Sequence, residues 1–410
     1  MLPVRRLPGI LYQRRYAILL FAVIIFIIMY YMLHWGIMCT NIETWQHVNK
    51  LCRLHQKGDA VGSLCKPLCE DKQIETLTCH AFHAGKEAVF SANWEENRMV
   101  FKASRRAKNE LVDAVYWLDS QGKRRYPSED DFSGMIRDVV STKLNLSISN
   151  GQLQRLSRLG YTKSKEGSAL RQIEMQNLWI LLQDNEYLCS VLYSDRDVFP
   201  QLLGTCGGFF AVEYVEPVQP ASSVLSVSDG KEAWASRIRL AVLILDLLEE
   251  LETNMPEPFH LCDIKITHFG MAKGGQRLKF LDLDSVLPRT IANRATGDGS
   301  HCTKHEDCDF FDCRSRCNEA TSRCDLPVTN NNFQVVCEKL FLGWTLSGTV
   351  ILPGLLMSQH TPSSLASLLR QCANPDSDAG SSRAATPDDI RHRLYTTITE
   401  MDQMLSSEFN

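Results

Sequence analysis

Hydrophobic and polar positions sort the chain into stretches of clearly different character. Residues 16–33 read YAILLFAVIIFIIMYYML, 18 residues without a charge, and the uncharged run continues to Met38. Its 23 residues would make roughly 34 Å of helix at 1.5 Å per residue, enough to cross a bilayer. The pattern therefore predicts one transmembrane helix over 16–38. Arg5, Arg6, Arg14 and Arg15 precede it, and Tyr and Trp gather at its far end. The excess of arginine puts residues 1–15 in the cytosol and the chain from 39 onward across the membrane. A cleaved signal peptide would have a shorter apolar region ending in a small-x-small site, and none is visible near Gly36. The reading is an uncleaved signal anchor.

Beyond the anchor the periodicities are mixed. Residues 87–92 and 98–103 are short apolar-rich runs around a polar break, which predicts a hairpin. Helical spacing runs through 132–144 and through 170–193, the latter carried by Ile173, Leu178, Leu181, Leu182 and Leu188. Residues 202–208 and 209–215 read as strand, glycine turn, strand. The run 233–252 is a strong helix apolar on more than one side. Two apolar strands then end in acids, at 259–263 and 278–284. Residues 373–388 read as a linker before a last helix, and no internal repeat is visible.

Composition narrows the class. The chain has 410 residues, 44% hydrophobic and 22% charged, as in ordinary globular proteins. A net charge of −4 supplies no basic field for a phosphate backbone, so nucleic acid is not an expected partner. All 15 cysteines lie at or beyond Cys39, which suits an oxidising compartment on the far side of the membrane. They are dense over Cys52–Cys79 and again over Cys302–Cys324. Zinc is the alternative to disulfides in both, with His301 and His305 flanking the second cluster, but a lumenal address favours oxidation. An odd total leaves at least one thiol unpaired or joined to another chain. Asn145-Leu146-Ser147 is a glycosylation sequon consistent with lumenal exposure. The N-terminal arginine pairs either act as a retrieval signal to the endoplasmic reticulum or serve only to orient the anchor.

Element order points to a chemistry. A strand bearing Lys102 is followed by a helix, two strands, a long apolar helix, and two strands ending in aspartates 19 residues apart, Asp263 and Asp282. That order matches a protein-kinase-like fold, where a small lobe grips nucleotide phosphates and a helical lobe supplies acid/base and metal groups. Lys102 would hold the α/β-phosphates of ATP, the alternative being an exposed surface lysine. Glu186 is the candidate to orient Lys102, with Glu174 the runner-up. Asp263, in Leu261-Cys262-Asp263-Ile264-Lys265, takes the place of the base near an acceptor hydroxyl. Asp282, in Phe280-Leu281-Asp282-Leu283-Asp284, takes the place of the metal ligand, since developing phosphoryl charge needs a hard cation. Two solvated loop acids are the bland alternative. Five residues past the base a kinase has Asn; here His268 stands, and imidazole suits manganese or zinc better than magnesium. A glycine-rich phosphate loop is also missing: His83-Ala84-Gly85-Lys86 has one glycine.

Taken together, the arginine-flanked anchor, Leu64-Cys65-Lys66-Pro67-Leu68-Cys69, Leu202-Leu203-Gly204-Thr205-Cys206, the two aspartate motifs, Val286-Leu287-Pro288 and the Cys302–Cys324 cluster resemble the divergent protein kinase domain 1 family. These are cysteine-rich, kinase-like proteins of the endoplasmic reticulum membrane. The resemblance implies an α+β, bilobal protein-kinase-like fold with disulfide-rich additions after one transmembrane helix. The expected divisions are a cytosolic tail 1–15, an anchor 16–38, a cysteine-rich segment 39–80, a small lobe 81–216 and a large lobe 217–410 with an insert at 302–324. That insert would fall where a kinase carries its activation segment, so a stapled loop would replace a phosphorylation switch. The resemblance also implies an EF-hand-like insertion before the helix that carries the glutamate. With Gly167 at loop position 6, Thr162, Ser164 and Glu166 fall at ligand positions, but Ile173 falls at position 12 and Glu174 one residue late. Two lysines inside the loop add repulsion, which speaks against calcium. The expected function is transfer of the ATP γ-phosphoryl group, with Mg or Mn, to a hydroxyl of a secretory-pathway protein or glycan. The alternative is a catalytically inactive pseudokinase that binds partners or nucleotide in the lumen.

Overall fold

A computed structural model describes residues 19–27, 29, 40–80, 86–104, 115–160, 164–219, 230–346, 349–378 and 380–409. After Thr40 the chain forms α1 (Asn41–Gln56), a π-helical turn (Lys66–Glu70), β1 (Ile74–Cys79), β2 (Lys86–Trp94) and β3 (Asn97–Ser104). A small ribbon, β4 (Trp117–Leu118) with β5 (Arg124–Arg125), precedes α2 (Glu129–Leu144), α3 (Asn150–Ser157), α4 (Ala169–Leu182) and α5 (Asn185–Leu192). Strands β6 (Leu202–Cys206), β7 (Phe209–Glu213) and β8 (Glu216–Pro217) lead to the long helix α6 (Lys231–Thr253). Then come β9 (Phe259–Leu261), β10 (Phe269–Met271), β11 (Leu278–Phe280), β12 (Val286–Pro288), α7 (Arg289–Thr296) and α8 (Asn332–Val336). A second π-helical turn (Cys337–Leu342), β13 (Gly343–Leu346), β14 (Thr349–Pro353), α9 (Ser363–Ala373) and α10 (Asp388–Phe409) complete the chain.

The chain divides into two compact units. The first takes the described residues of 1–115 with 159–177 and 203–212. Helix α1 starts where Thr40 Oγ1 accepts from Glu43 N–H while the Glu43 carboxylate accepts from Thr40 N–H, a reciprocal cap. Its Thr44, Val48 and Leu51 are buried, one face of a helix. The sheet has the order β1-β2-β3-β7-β6. In β3, Met99, Phe101 and Ala103 point into the core and Lys102 points to the other face, as the two-residue period of a strand requires. Phe90 and Phe101 sit opposite each other in the hairpin with rings stacked 5.1 Å apart. The motif around Gly204 has a steric reason. A Cβ on Gly204 would lie 2.4 Å from Ser63 Oγ, and one on Gly62 would lie 2.1 Å from Thr205 O. The two backbones must close because Leu64 N–H donates to Thr205 O and Cys65 is bonded to Cys206.

The second unit takes 116–158, 178–202 and the chain from 213. Its centre is α6, whose Trp234, Ile238, Ala241, Leu245 and Leu248 are buried, and α10 runs along it. Arg239 pairs with Asp402, and Tyr395 donates to Asp246, across those two helices. Strand β9 pairs with β12, and β10 pairs with both β11 and β8.

The hairpin, the helices near 132 and 233, and the two aspartate-bearing strands all form. The helix expected over 170–193 is two helices, because Asp184 turns out to cap α5 by accepting from Glu186 N–H and Tyr187 N–H. The expected linker is packed: Ser382, Arg383 and Thr386 are buried. Among the described residues six disulfides pair Cys52–Cys69, Cys65–Cys206, Cys262–Cys313, Cys302–Cys317, Cys308–Cys324 and Cys337–Cys372. Cys79 is also disulfide-bonded, and Cys189 is a free, buried thiol. Both cysteine clusters are thus oxidised, and His305 uses Nδ1 to accept from Cys317 N–H. No helix among the described residues is long and apolar enough to cross a membrane. Most of the expected anchor 16–38 lies outside the described residues; its described part, 19–27 and 29, is helical with exposed apolar side chains.

Candidate functional site

The acidic ends of the two strands converge. Asp263 leaves β9 through Cys262, and Asp282 follows β11 by two residues. Between them a single 3-10 turn (Ile266–His268) brings His268 back toward both. Donor atoms of Asp263, His268 and Asp282 lie within 4.8 Å of one another. Asp263 and Asp282 are half-buried and His268 is buried, so the cluster is reachable without being loose in solvent.

Hydrogen bonding fixes the chemistry of His268. Its Nδ1 is 3.0 Å from the carbonyl oxygen of Asp263. A carbonyl can only accept, so Nδ1 carries the proton and donates. In the neutral ring this leaves the Nε2 lone pair free, and Nε2 is 3.4 Å from Asp282 Oδ2. A histidine anchored through Nδ1 to a backbone carbonyl and presenting Nε2 beside a carboxylate is a common metal-ligand arrangement. The ring edge meets Phe280, 5.9 Å between centroids, and His268 O accepts from Leu281 N–H at 2.7 Å. An imidazole beside the Asp282 carboxylate makes a donor pair that fits Mn²⁺ better than Mg²⁺, which prefers oxygen alone. Asp263 itself pairs with Lys265, Oδ2 to Nζ 2.8 Å.

The remaining candidates fall elsewhere. Glu186 is buried at the start of α5, and its Oε1 accepts from Leu283 N–H at 3.0 Å, one residue past Asp282. It thereby joins a second acidic group with Asp184 and Asp284. Lys102 is in the first unit, half-buried on β3 opposite Val89. Glu174, the runner-up to Glu186, is fully buried and takes Leu159 N–H, Ser164 Oγ–H and Arg171 Nη1–H as donors. Thr162 of the EF-hand-like loop lies outside the described residues, as does Gly85. Gly167 has φ +72, a left-handed turn that suits glycine.

Two family models cover most of the chain. Residues 178–375 match the family model described as the protein-kinase domain of FAM69, and residues 6–158 match its N-terminal cysteine-rich ER model. The chain belongs to the FAM69 family. Asp263, His268, Asp282 and Glu186 all fall within the FAM69 kinase-domain match, while Lys102 falls within the cysteine-rich match. Among solved structures, a Mycobacterium tuberculosis chain titled the complex structure of Rv3197-erythromycin is 13% identical, covering 81% of this chain and 74% of that one. Its TM-score of 0.27 is too low to bear on the fold.

Sequence reasoning gave no role to Asp312, Lys339 or Asn332, which surround the Asp263 strand in this FAM69 chain. Asn332 caps nothing in its own helix; its side chain accepts from Leu261 N–H and donates to Phe259 O, both at 2.8 Å. The one available signal was a run of three asparagines, 330–332, before an apolar helix, which says nothing about a strand 71 residues upstream. Cys189 was equally silent. Burial, with Glu186 and Asp184 close by, pushes its thiol far above the ordinary range, so it is an inert core residue.

Proposed function

We propose that this chain is a lumenal, metal-dependent kinase-like protein of the endoplasmic reticulum membrane, held by a type II anchor over 16–38. It would transfer the ATP γ-phosphoryl group to a hydroxyl of a secretory-pathway protein or glycan. The observation that carries the reading is the convergence of Asp263, His268 and Asp282 within the kinase-domain match. His268 Nε2 and Asp282 would hold the ion, Mn²⁺ in preference to Mg²⁺, and the bound ion would offset charge developing on the phosphates. Asp263 would accept the acceptor hydroxyl's proton, its carboxylate paired with Lys265 at 2.8 Å. Lys102 would hold the α/β-phosphates and Glu186 would orient Lys102. Calcium has no part in the proposal, since the Arg171 guanidinium already satisfies Glu174, the nearest acid to the loop's last ligand position.

A non-catalytic nucleotide or partner binder is the second reading, favoured by histidine at position 268. One experiment addresses both. Thermal melting of the full chain would be followed with ATP and either Mn²⁺ or Mg²⁺, beside Lys102→Ala and Asp282→Ala. Stabilisation that needs Mn²⁺ and disappears in both variants supports the nucleotide site. A cooperative melt indifferent to ATP with either ion would reject it and leave partner binding. The membrane topology is checked separately, by protease protection of residues beyond 39 in intact microsomes.

A further inference from the structure

The Asp263 loop is gripped by a residue of the cysteine-rich insert. Asp312 is buried, and its Oδ2 accepts from Ile264 N–H at 2.7 Å. Its own N–H donates to Cys262 O, also at 2.7 Å. One residue therefore holds the peptide groups on both sides of Asp263. The next residue, Cys313, is bonded to Cys262, so the same junction is covalent. Lys339 completes it, with Nζ 2.8 Å from Asp312 Oδ1 and 2.7 Å from Oδ2.

We infer that Asp312, clamped by Lys339, is the positioning residue for Asp263, and that the insert is a permanent rather than a switchable support for that acid. The inference rests on reading Asp263 as the acid/base residue. A carboxylate whose sole task was to neutralise Lys339 would have no reason to turn an oxygen onto a loop amide 48 residues upstream. The grip also reaches the metal group. Asp263 O is the acceptor that sets the His268 ring, so any slack in the loop loosens Nε2 opposite Asp282. Supporting side chains of this kind commonly shift metal affinity tenfold or more when changed. Asp312 is fixed in turn, because Asn330 Nδ2 donates to its carbonyl oxygen at 2.8 Å.

The test uses the full chain and two readouts, amide hydrogen exchange over 262–268 and uptake of Mn²⁺ followed by the paramagnetic resonance of the free ion. Asp312→Asn keeps size but removes the charge that Lys339 and Ile264 N–H share. It is expected to speed exchange over 262–268 by at least tenfold, leave α6 unchanged and weaken Mn²⁺ uptake about tenfold. Lys339→Met, at a partly exposed site, is expected to move both readouts the same way by less, and it decides the question if Asp312→Asn does not fold. Unchanged exchange over 262–268 in a folded variant, or equal acceleration throughout α6, would overturn the inference. If the unmodified chain takes up no Mn²⁺, the metal reading of the site fails, while the exchange result still decides the role of Asp312.

Discussion

The two cysteine-rich regions look alike in sequence and are built on different principles. Around Cys52–Cys69 and Cys65–Cys206 the disulfides sit inside an apolar core that includes Leu51, Leu64, Leu68, Ile74, Phe90 and Phe101. Around Cys302–Cys317 and Cys308–Cys324 the buried apolar cluster consists of the four cysteines alone. Charge does there what side-chain packing does in the first region. Arg383 is buried and grips both oxygens of Asp309 at 2.5 and 2.8 Å, and Arg314 joins Glu338 and Ser382 O. A small loop with no core of its own can be ordered by covalent and ionic links, provided each buried charge is paired. The difference teaches that the first region supports a fold, whereas the second supports one loop of it, at Asp263.

Changes at Cys65–Cys206 should cut deepest. That bond closes a separation of 141 residues, and the loop-closure argument gives it about 5 kcal/mol. Cys206→Ser is expected to lower the denaturant midpoint of the first unit, read from fluorescence unfolding, while exchange over 302–324 stays protected. Loss of protection in both regions together would erase the contrast.

Next comes Arg383→Met, which strands the Asp309 carboxylate beside a lost buried partner, at a cost of about 4 kcal/mol. Limited proteolysis should then nick within 302–324 without releasing β1 or β2. Acid provides a third test, with an effect of roughly 3 kcal/mol spread over the titration. Burial, and then the positive charge of Arg289, lower the His260 pKa to about 4 from an ordinary 6.5. The neutral ring is native, so its contribution is complete above pH 6.5 and is lost as pH falls toward 4. The melting temperature of the second unit should drop across that window, and His260→Gln should flatten the drop. The smallest effect is at Gly204→Ala, where Ser63 Oγ and Leu64 must give way; about 2 kcal/mol is expected, confined to the first unit.

Much of this is legible in the sequence, and the illegible parts share a cause. The hairpin carrying Lys102, helix α6 and the strands leading to Asp263 and Asp282 follow from local periodicity. The break between α4 and α5 was written as Asp184-Asn185-Glu186, a capping signal that the apolar spacing of 170–193 overrode. Residues 373–388 have a linker's composition, yet Arg383 and Thr386 are buried against Asp309, Ser315 and Asn331, partners far away in sequence. Disulfide pairing was unreadable for the same reason: Cys206 and Cys262 stand outside both clusters and each ties one of them to a strand or loop. Asp312 and Lys339 carry no motif at all; only folding brings them to Ile264.

The central claim is that Asp263, His268 and Asp282 form a metal-dependent nucleotide site. Calorimetric titration of the full chain with Mn²⁺ and a non-hydrolysable ATP analogue tests it most directly, beside His268→Ala and Asp282→Asn. Saturable binding in the unmodified chain, weakened at least about tenfold in both variants, is the expected result. Binding of equal strength in all three chains, or equal strength with and without Mn²⁺, would contradict it.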